Sequence, residues 1–155
     1  MTKRVLITGV SSGIGLAQAR LFLDKGYQVY GVDQGENPLL EGDFHFLQRD
    51  LTLDLEPIFD WCPQVDVLCN TAGVLDAYKP LLEQSAQEIQ EIFEINYMTP
   101  VELTRYYLTK MLENKKGIII NMCSIASSLA GGGGHAYTSS KHALAGFTKQ
   151  LALDY

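Results

Sequence analysis

The chain has 155 residues, of which 46% are hydrophobic and 19% are charged, and this composition is typical of a soluble globular protein. Its net charge of −6 argues against nucleic-acid binding, which requires a basic face, and no apolar run approaches the roughly 18 residues of a membrane span. The three cysteines form no C-x-x-C motif, so we expect reduced thiols in a cytoplasmic protein, and no metal site is predicted.

Strand and helix patterns alternate along the chain. The apolar runs predict strands at residues 3–8, 27–32, 43–49, 65–70 and 117–124. The helical patterns lie between them, at residues 13–25, 54–61, 85–114 and 136–154. This alternation predicts one α/β domain over residues 1–155, with a doubly wound, Rossmann-like parallel sheet that carries helices on both faces. Right-handed crossovers predict the strand order 3-2-1-4-5, with a ligand crevice between strands one and four.

The turn after the first predicted strand is rich in glycine. Its predicted nucleotide-binding positions are Gly9, Ser11, Ser12, Gly13, Ile14 and Gly15. Glycines at these places would let the backbone approach a pyrophosphate while helix N–H groups point at it. Asp33 closes the second strand twenty residues after Gly13, near the distance at which a carboxylate meets the adenosine ribose. A plain strand-to-helix turn and a solvated acid are the alternatives.

The long helix predicted at 85–114 contains an unusual asparagine. Ser85 and Glu88 form a capping box in front of an apolar stripe. The stripe begins at Ile89 and places Asn96 on the face that turns toward the sheet. Pro100 lacks the N–H that would bond the Asn96 carbonyl, so we expect a free carbonyl and a local kink. A buried Asn that is satisfied by neighbouring backbone is the alternative.

The segment 121–141 carries a hydroxyl, a phenol and an ammonium. Ser124 is predicted at the carboxyl end of a buried strand, and Tyr137 and Lys141 share one helix face because they lie four residues apart. A free phenol, with a pKa of about 10, is a poor base at neutral pH, but a nearby ammonium favours the phenolate. We therefore predict Tyr137 as proton donor or acceptor, Lys141 as its electrostatic partner and Ser124 as donor to a carbonyl oxygen. An amphipathic helix with a core Tyr and a surface Lys is the alternative.

Together these motifs resemble the short-chain dehydrogenase/reductase family, whose first turn reads T-G-x-x-x-G-I-G. The resemblance implies an oxidoreductase that moves a hydride between NAD(H) and a ketone or secondary alcohol. It implies the catalytic residues Asn96, Ser124, Tyr137 and Lys141. In the family, the asparagine that corresponds to Asn96 lies at a helix break, and its main chain holds a water in the proton path to the lysine.

The resemblance also implies cofactor contacts beyond the first turn. Asp50 and Leu51 would lie beside the adenine, although Asp50 as a helix N-terminal acid is an equal alternative. Residues 70–73 are similar to the family's N-A-G turn, with Thr71 as a departure, and a turn that merely ends a strand is the alternative. The cofactor contacts expected from this turn and from the last helix are Asn70, Ala72, Gly73, Tyr137 and Lys141.

Asp33 decides the expected cofactor. Its carboxylate should accept hydrogen bonds from both ribose hydroxyls and repel a 2′-phosphate, and no Lys or Arg lies in residues 8–15 or directly after Asp33 to neutralise such a phosphate. NAD(H) is therefore favoured over NADP(H). The run 121–141 is most similar to the 3-oxoacyl-[acyl-carrier-protein] reductase branch and its small-alcohol relatives, and that branch more often uses NADPH.

Other expectations complete this interpretation. Family members continue beyond residue 155, so we expect a chain that is truncated at its C-terminus and that is inactive or binds NAD poorly alone. A small carbonyl or alcohol substrate is expected, and pairing into a homodimer or homotetramer through helices 85–114 and 136–154. A cofactor-sensing or scaffolding protein without turnover is the alternative from another class. The glycine spacing disfavours a sugar-nucleotide epimerase.

Overall fold

A computed structural model describes residues 2–155. The strands are β1 (Arg4–Thr8), β2 (Gln28–Asp33), β3 (Phe44–Gln48), β4 (Val67–Asn70) and β5 (Ile118–Asn121). The α-helices are α1 (Gly13–Asp24), α2 (Glu56–Trp61), α3 (Ala86–Phe93), α4 (Thr99–Glu113) and α5 (His135–Asp154). No helix within residues 2–155 is both long enough and apolar enough to cross a membrane.

The strands form one five-stranded sheet in the order β3-β2-β1-β4-β5. The pairs β1–β2, β1–β4 and β2–β3 are parallel, with Val5 of β1 opposite Val29 on one side and Val67 on the other. This confirms the predicted doubly wound fold and its strand order. The order reverses between β1 and β4, which is where ligands bind in open sheets of this kind.

Two predicted elements differ from the structure. The strand predicted at 117–124 ends at Asn121 and is not buried, since Ile118 is 57% exposed at the sheet edge. Ser124 therefore lies beyond the strand, before a short 3₁₀ helix, Ile125–Ser127. The helix predicted at 85–114 is interrupted by a π-helical stretch, Glu94–Met98, that contains Asn96. The sequence predicted a free carbonyl and a local kink here, and the structure has a change of helical hydrogen-bond register at this place.

The chain divides into two compact units. The first contains the residues up to Ala72 together with Glu102–Ile120, and the second contains Gly73–Val101 and Asn121–Tyr155. The prediction of one domain over residues 1–155 stays a prediction.

The first unit has an apolar core on each face of the sheet. Alternate residues of β1 belong to different clusters: Leu6 packs with Leu68, Leu103 and Tyr107, whereas Val5 and its neighbours pack on the other side. The members of the second cluster are Val5, Ile7, Val10, Ala19, Val29, Val67 and Cys69. Because both faces are covered, these strands read as nearly continuous apolar runs.

The second unit buries polar side chains instead. Asn96 and Ser140 are fully buried, and Asp76, Thr99 and Lys141 are at most 6% exposed. A buried polar group is costly unless it is hydrogen-bonded, so the partners of these groups determine how this unit folds.

The predicted capping box is present at the start of α3. The Glu88 amide donates to Ser85 Oγ, and the Ser85 amide donates to the Glu88 carboxylate. Two N–H groups that the helix itself cannot satisfy are thereby paired.

We expect Ser85→Ala to lower the free energy of unfolding of the full-length protein by about 1 kcal/mol, because the Glu88 amide loses its acceptor. Urea-induced unfolding measures this change. Gln90→Ala, at an exposed position of the same helix, serves as the control and should change stability little. Equal stabilities of Ser85→Ala and the unmodified protein would contradict the assignment of the cap.

Candidate active site

The glycine-rich turn of the first unit is packed tightly by backbone contacts. Gly9 has φ +74°, and a side chain there would place Cβ 2.8 Å from the Ala72 Cα atom. The hydroxyl of Thr8 accepts from the amides of Thr71 and Ala72 at 3.0 and 3.1 Å, so the turns that follow β1 and β4 are joined. Only glycine at position 9 allows this approach.

The beginning of α1 suits a bound phosphate. A Cβ atom on Gly15 would clash with the Gly9 carbonyl oxygen, so glycine lets the helix start directly on the turn. Around Gly13, which has φ +52°, the space is open to 4 Å. Within the described residues, Ser12 caps no helix N–H with its side chain and the first turn of α1 has no acid. The first N–H groups of a helix have no acceptor within it, so an anion is favoured at this positive helix end.

Asp33 ends β2 and holds the loops next to it. Its carboxylate accepts from the amides of Ser11 and Gly35 at 2.9 and 2.8 Å. Because both neighbouring segments donate to this carboxylate, Asp33 is more than a solvated acid, and that alternative is wrong. A carboxylate oxygen can accept more than one hydrogen bond, so both oxygens can still accept from ligand hydroxyls.

Asp50 and Leu51 are engaged within the first unit. The Asp50 carboxylate accepts from the amide and hydroxyl of Thr52, and these bonds lower its pKa. The alternative that Asp50 starts the next helix is wrong, because α2 begins at Glu56 and its amide donates to Asp54. Leu51 is 8% exposed in the apolar core, so little of its surface is left for an adenine ring.

Asn70 at the end of β4 is buried. Its amide group donates to the hydroxyl of Thr104 on α4 at 3.3 Å. This bond ties the end of β4 to α4. The hydroxyl of Thr71, the departure from the family pattern, donates to Gln18 Oε1 at 2.6 Å and so links this turn to α1.

Lys141 is the most deeply buried charge of the second unit. Its side chain is 4% exposed, and Nζ donates to the Met122 carbonyl oxygen at 2.7 Å. The same Nζ lies 5.8 Å from the centroid of the Tyr137 ring. The alternative of a surface lysine is therefore wrong. A Cβ atom on Gly73 would lie 3.4 Å from Nζ, so the glycine leaves room for the ammonium.

Tyr137 is half-buried in the first turn of α5, beside the run of four glycines. A Cβ atom on Gly133 would clash with the Tyr137 ring, and one on Gly132 would lie 3.1 Å from Ala126. Gly132 and Gly133 therefore have a packing role.

Ser124 lies at the N-cap of the short 3₁₀ helix. Its Oγ accepts from the Ala126 amide at 3.2 Å, and its own amide donates to Ser127 Oγ at 3.1 Å. A serine oxygen that accepts one bond keeps its O–H available as a donor. The 3₁₀ helix packs against α5, so Ser124 lies in the same unit as Tyr137 and Lys141.

The Asn96 side chain is fully paired. Oδ1 accepts from the Val74 amide at 2.8 Å, and Nδ2 donates to the Val74 carbonyl at 2.9 Å and to Ser140 Oγ at 3.2 Å. The alternative of a buried asparagine satisfied by backbone is thus correct for the side chain. The proposed water relay depends on the main chain at the π-helix, and it stays a prediction.

The sequence interpretation missed two residues. Ser140 accepts from Asn96 at 3.2 Å and donates to the Tyr137 carbonyl at 2.8 Å. Asp76 accepts from the amides of Gly134 and Tyr137 at 2.6 and 3.0 Å. Ser140 lies one helical turn after Tyr137, and this spacing could have indicated its bond to the Tyr137 carbonyl. For Asp76 the signal was indirect: α5 begins at glycines, which offer no capping side chain.

The strand order and the glycine turn define a dinucleotide-binding α/β fold. The family model described as short chain dehydrogenase matches residues 3–155. The chain belongs to the short-chain dehydrogenase/reductase family. It is 36% identical to asnovolin H dehydrogenase of Aspergillus novofumigatus over 96% of this chain, and it spans 62% of that protein's length.

Solved structures agree with this assignment. A 4-hydroxyisoleucine dehydrogenase complexed with NADH matches with a TM-score of 0.88 and 32% identity, over 99% of this chain and 69% of that one. A short chain dehydrogenase from Leptospira borgpetersenii with bound NAD⁺ matches with a TM-score of 0.86 and 29% identity, over 98% of this chain and 65% of that one.

The burial of Lys141 makes the free energy of unfolding depend on pH. Burial lowers the pKa of its ammonium below the ordinary value of 10.5, because the charged form loses its hydration. At a pH between the pKa of Lys141 in the folded chain and its pKa in the unfolded chain, the unfolded chain binds more protons. This group therefore makes the free energy of unfolding rise with pH. We expect the stability of the full-length protein relative to Lys141→Met to increase from pH 7 to pH ~9.5.

Urea-induced unfolding of both proteins at each pH measures this change. The exposed change Lys149→Met provides the control, and its stability difference should stay nearly constant between the two pH values. A relative stability that falls as the pH rises would contradict the burial of a charged lysine.

Proposed function

We propose that the full-length protein is an NAD(H)-dependent oxidoreductase that interconverts a secondary alcohol and a ketone. The observation that carries this proposal is the buried Lys141 ammonium, one helical turn from Tyr137 and 5.8 Å from its ring centroid. A buried cation is costly to desolvate even when a carbonyl accepts from it, and a positive charge stabilises negative charge that develops nearby. That is the electrostatic arrangement that a tyrosine acid–base catalyst needs.

Each residue then has one role in proton transfer. Tyr137 takes the proton from the alcohol oxygen or returns it to the carbonyl oxygen. Lys141 favours the phenolate, and the Ser124 O–H donates to the oxygen on which negative charge develops. The main chain of Asn96 is proposed to hold a water molecule in the proton path to Lys141. Bound NAD(H) would supply or accept the hydride at the carbon.

NAD(H) is the preferred cofactor in this proposal. Asp33 presents a carboxylate at the end of β2, and a 2′-phosphate would be repelled there. Arg49, the nearest following cation in sequence, donates with Nε and Nη2 to the Asp54 carbonyl and is thereby engaged elsewhere. The structural relatives with NADH and NAD⁺ support the same preference. Gly9, Ser11, Ser12, Gly13, Ile14, Gly15 and Ala72 are the proposed nucleotide-binding positions.

The substrate is proposed as a class. A 3-oxoacyl thioester or a small hydroxy compound would fit the resemblance of residues 121–141 to the 3-oxoacyl-[acyl-carrier-protein] reductase branch.

Pairing of copies through helices at 85–114 and 136–154 is also proposed, and Leu112 and Leu153, which are exposed on α4 and α5, support it.

We expect Tyr137→Phe to lower turnover at least about 100-fold, because the proton transfer group is lost. NADH formation or consumption by the full-length protein, screened with secondary alcohols, ketones and acyl thioesters, measures this. The Kd for NADH, measured by fluorescence, should change less than about threefold. Tyr155→Phe, at an exposed position, is the matched control and should keep full turnover. Full turnover by Tyr137→Phe would disprove the proposed mechanism.

We expect Asp33→Ala to raise the Kd for NADH about tenfold or more, because hydrogen bonds between a charged group and the ribose are lost. The Kd for NADPH should rise less or fall, since the repulsion of a 2′-phosphate is removed. Titration of the full-length protein with both cofactors measures the two constants. Asp24→Ala, an exposed acid at the end of α1, is the control. An unchanged ratio of the two constants would contradict the role of Asp33.

A further inference from the structure

Asp76 is a buried acid whose carboxylate is fully engaged in the second unit. It is 6% exposed, and it accepts from Gly134 N at 2.6 Å, Tyr137 N at 3.0 Å and Gln84 Nε2 at 3.0 Å. The two amide donors lie 58 and 61 residues further along the chain. The Tyr78 backbone also donates to this carboxylate. An acid held by several N–H donors is part of the architecture of this unit.

The two amides belong to the beginning of α5. The helix starts at His135 with Gly134 as its N-cap, and this glycine offers no capping side chain. The first N–H groups of a helix have no partner within the helix and need an outside acceptor. The Asp76 carboxylate supplies that acceptor, and it places a negative charge at the positive end of the helix.

The carboxylate is ionised at neutral pH. Burial by itself would raise the pKa of Asp76, but the hydrogen bonds from neighbouring N–H groups outweigh burial and hold the pKa below its ordinary value. Both oxygens therefore act as acceptors across the neutral range.

Gly134 is shaped for this contact. A Cβ atom at position 134 would lie 2.5 Å from Asp76 Oδ2 and 2.7 Å from Oδ1. No side chain can therefore stand at this place unless the carboxylate moves. The last glycine of the run and the distant acid depend on each other, which gives the run of glycines a reason beyond flexibility.

We propose that Asp76 is a positioning residue for the reaction: its carboxylate caps α5 from outside the helix and thereby fixes the backbone of Tyr137. This inference rests on the proposed function of Tyr137 as the proton transfer group. Asp76 bonds the Tyr137 amide itself, so the place of the phenol follows from this contact and from the packing of the ring against Gly133. A displacement of about 1 Å at a reacting group can reduce the rate about 100-fold.

Two variants of the full-length protein test the cap from opposite sides. Asp76→Asn keeps the shape but offers one acceptor oxygen, and its NH₂ group would face an N–H donor. Gly134→Ala forces the carboxylate away. Hydrogen exchange followed by mass spectrometry should show at least tenfold faster exchange in residues 134–138 of both variants. Exchange in β1, in the other unit, should be unchanged.

Kinetics with NAD⁺ and an alcohol from the screen above separate positioning from general stability. We expect both variants to lower kcat about 10- to 100-fold while the KM for NAD⁺ changes less than about threefold. Glu83→Gln removes an exposed charge from the same segment as Asp76, and Gly146→Ala adds a methyl group to the same helix as Gly134, where nothing lies within 4 Å. Both controls should retain kcat and the exchange rates.

The possible results are distinct. Unchanged exchange at 134–138, or faster exchange with full kcat, would overturn the positioning role. Faster exchange in both units together, with kcat and KM for NAD⁺ altered alike, would also overturn it in favour of a general loss of stability. If the unmodified protein turns over no substrate, the proposed function fails, and the exchange data alone decide whether Asp76 caps the helix.

Discussion

The burial of one ammonium group is the constraint on which the second unit depends. A lysine that is 4% exposed has lost nearly all of its hydration, and a charge in that state must find compensating partners. The Met122 carbonyl at 2.7 Å is one partner, and the π-electrons of the Tyr137 ring lie 5.8 Å away. Gly73 has no side chain, and a Cβ atom there would lie 3.2 Å from Asn96 Oδ1 and 3.4 Å from Lys141 Nζ. Small and polar residues therefore surround the cation, and no apolar core could take their place.

Different interactions stabilise the two units. In the first, apolar side chains from alternate positions of the strands cover both faces of the sheet, and the glycine turn is fixed by close backbone packing. In the second, Asn96 bridges to Val74 and Ser140, and Ser140 in turn donates to the Tyr137 carbonyl. Such a network defines a unique geometry when every member is satisfied, and the loss of one partner leaves another unpaired. The chain thus places directional bonds around the residues to which we assign chemistry.

Local rules explain what the sequence could predict. The sheet order follows from apolar strands that alternate with helices, the capping box from the spacing of Ser85 and Glu88, and the burial of Asn96 from its place on an apolar stripe. The end of β5 was misplaced because residues 122–124 continue the strand-like pattern, and only their tertiary neighbours end it. The contact of Asp76 with α5 could not be assigned from its own segment, since Gly134 and Tyr137 lie 58 and 61 residues away. Ser140 was overlooked because a small helix residue looks the same whether it packs or links two polar groups.

The charges around α5 oppose one another. The positive end of the helix and the Lys141 ammonium attract negative charge, whereas the Asp76 carboxylate at the same helix end repels it. An acid in that place is therefore unfavourable for proton abstraction if only electrostatics is considered. The same acid is favourable if an ordered first turn of α5 matters more than the local charge, because the carboxylate bonds the Tyr137 backbone directly. In the proposed mechanism the Lys141 ammonium then has a second use, because the Asp76 carboxylate partly neutralises the helix dipole. In our proposal the two buried groups are complementary: Lys141 supplies positive charge beside the Tyr137 ring, and Asp76 holds the Tyr137 backbone.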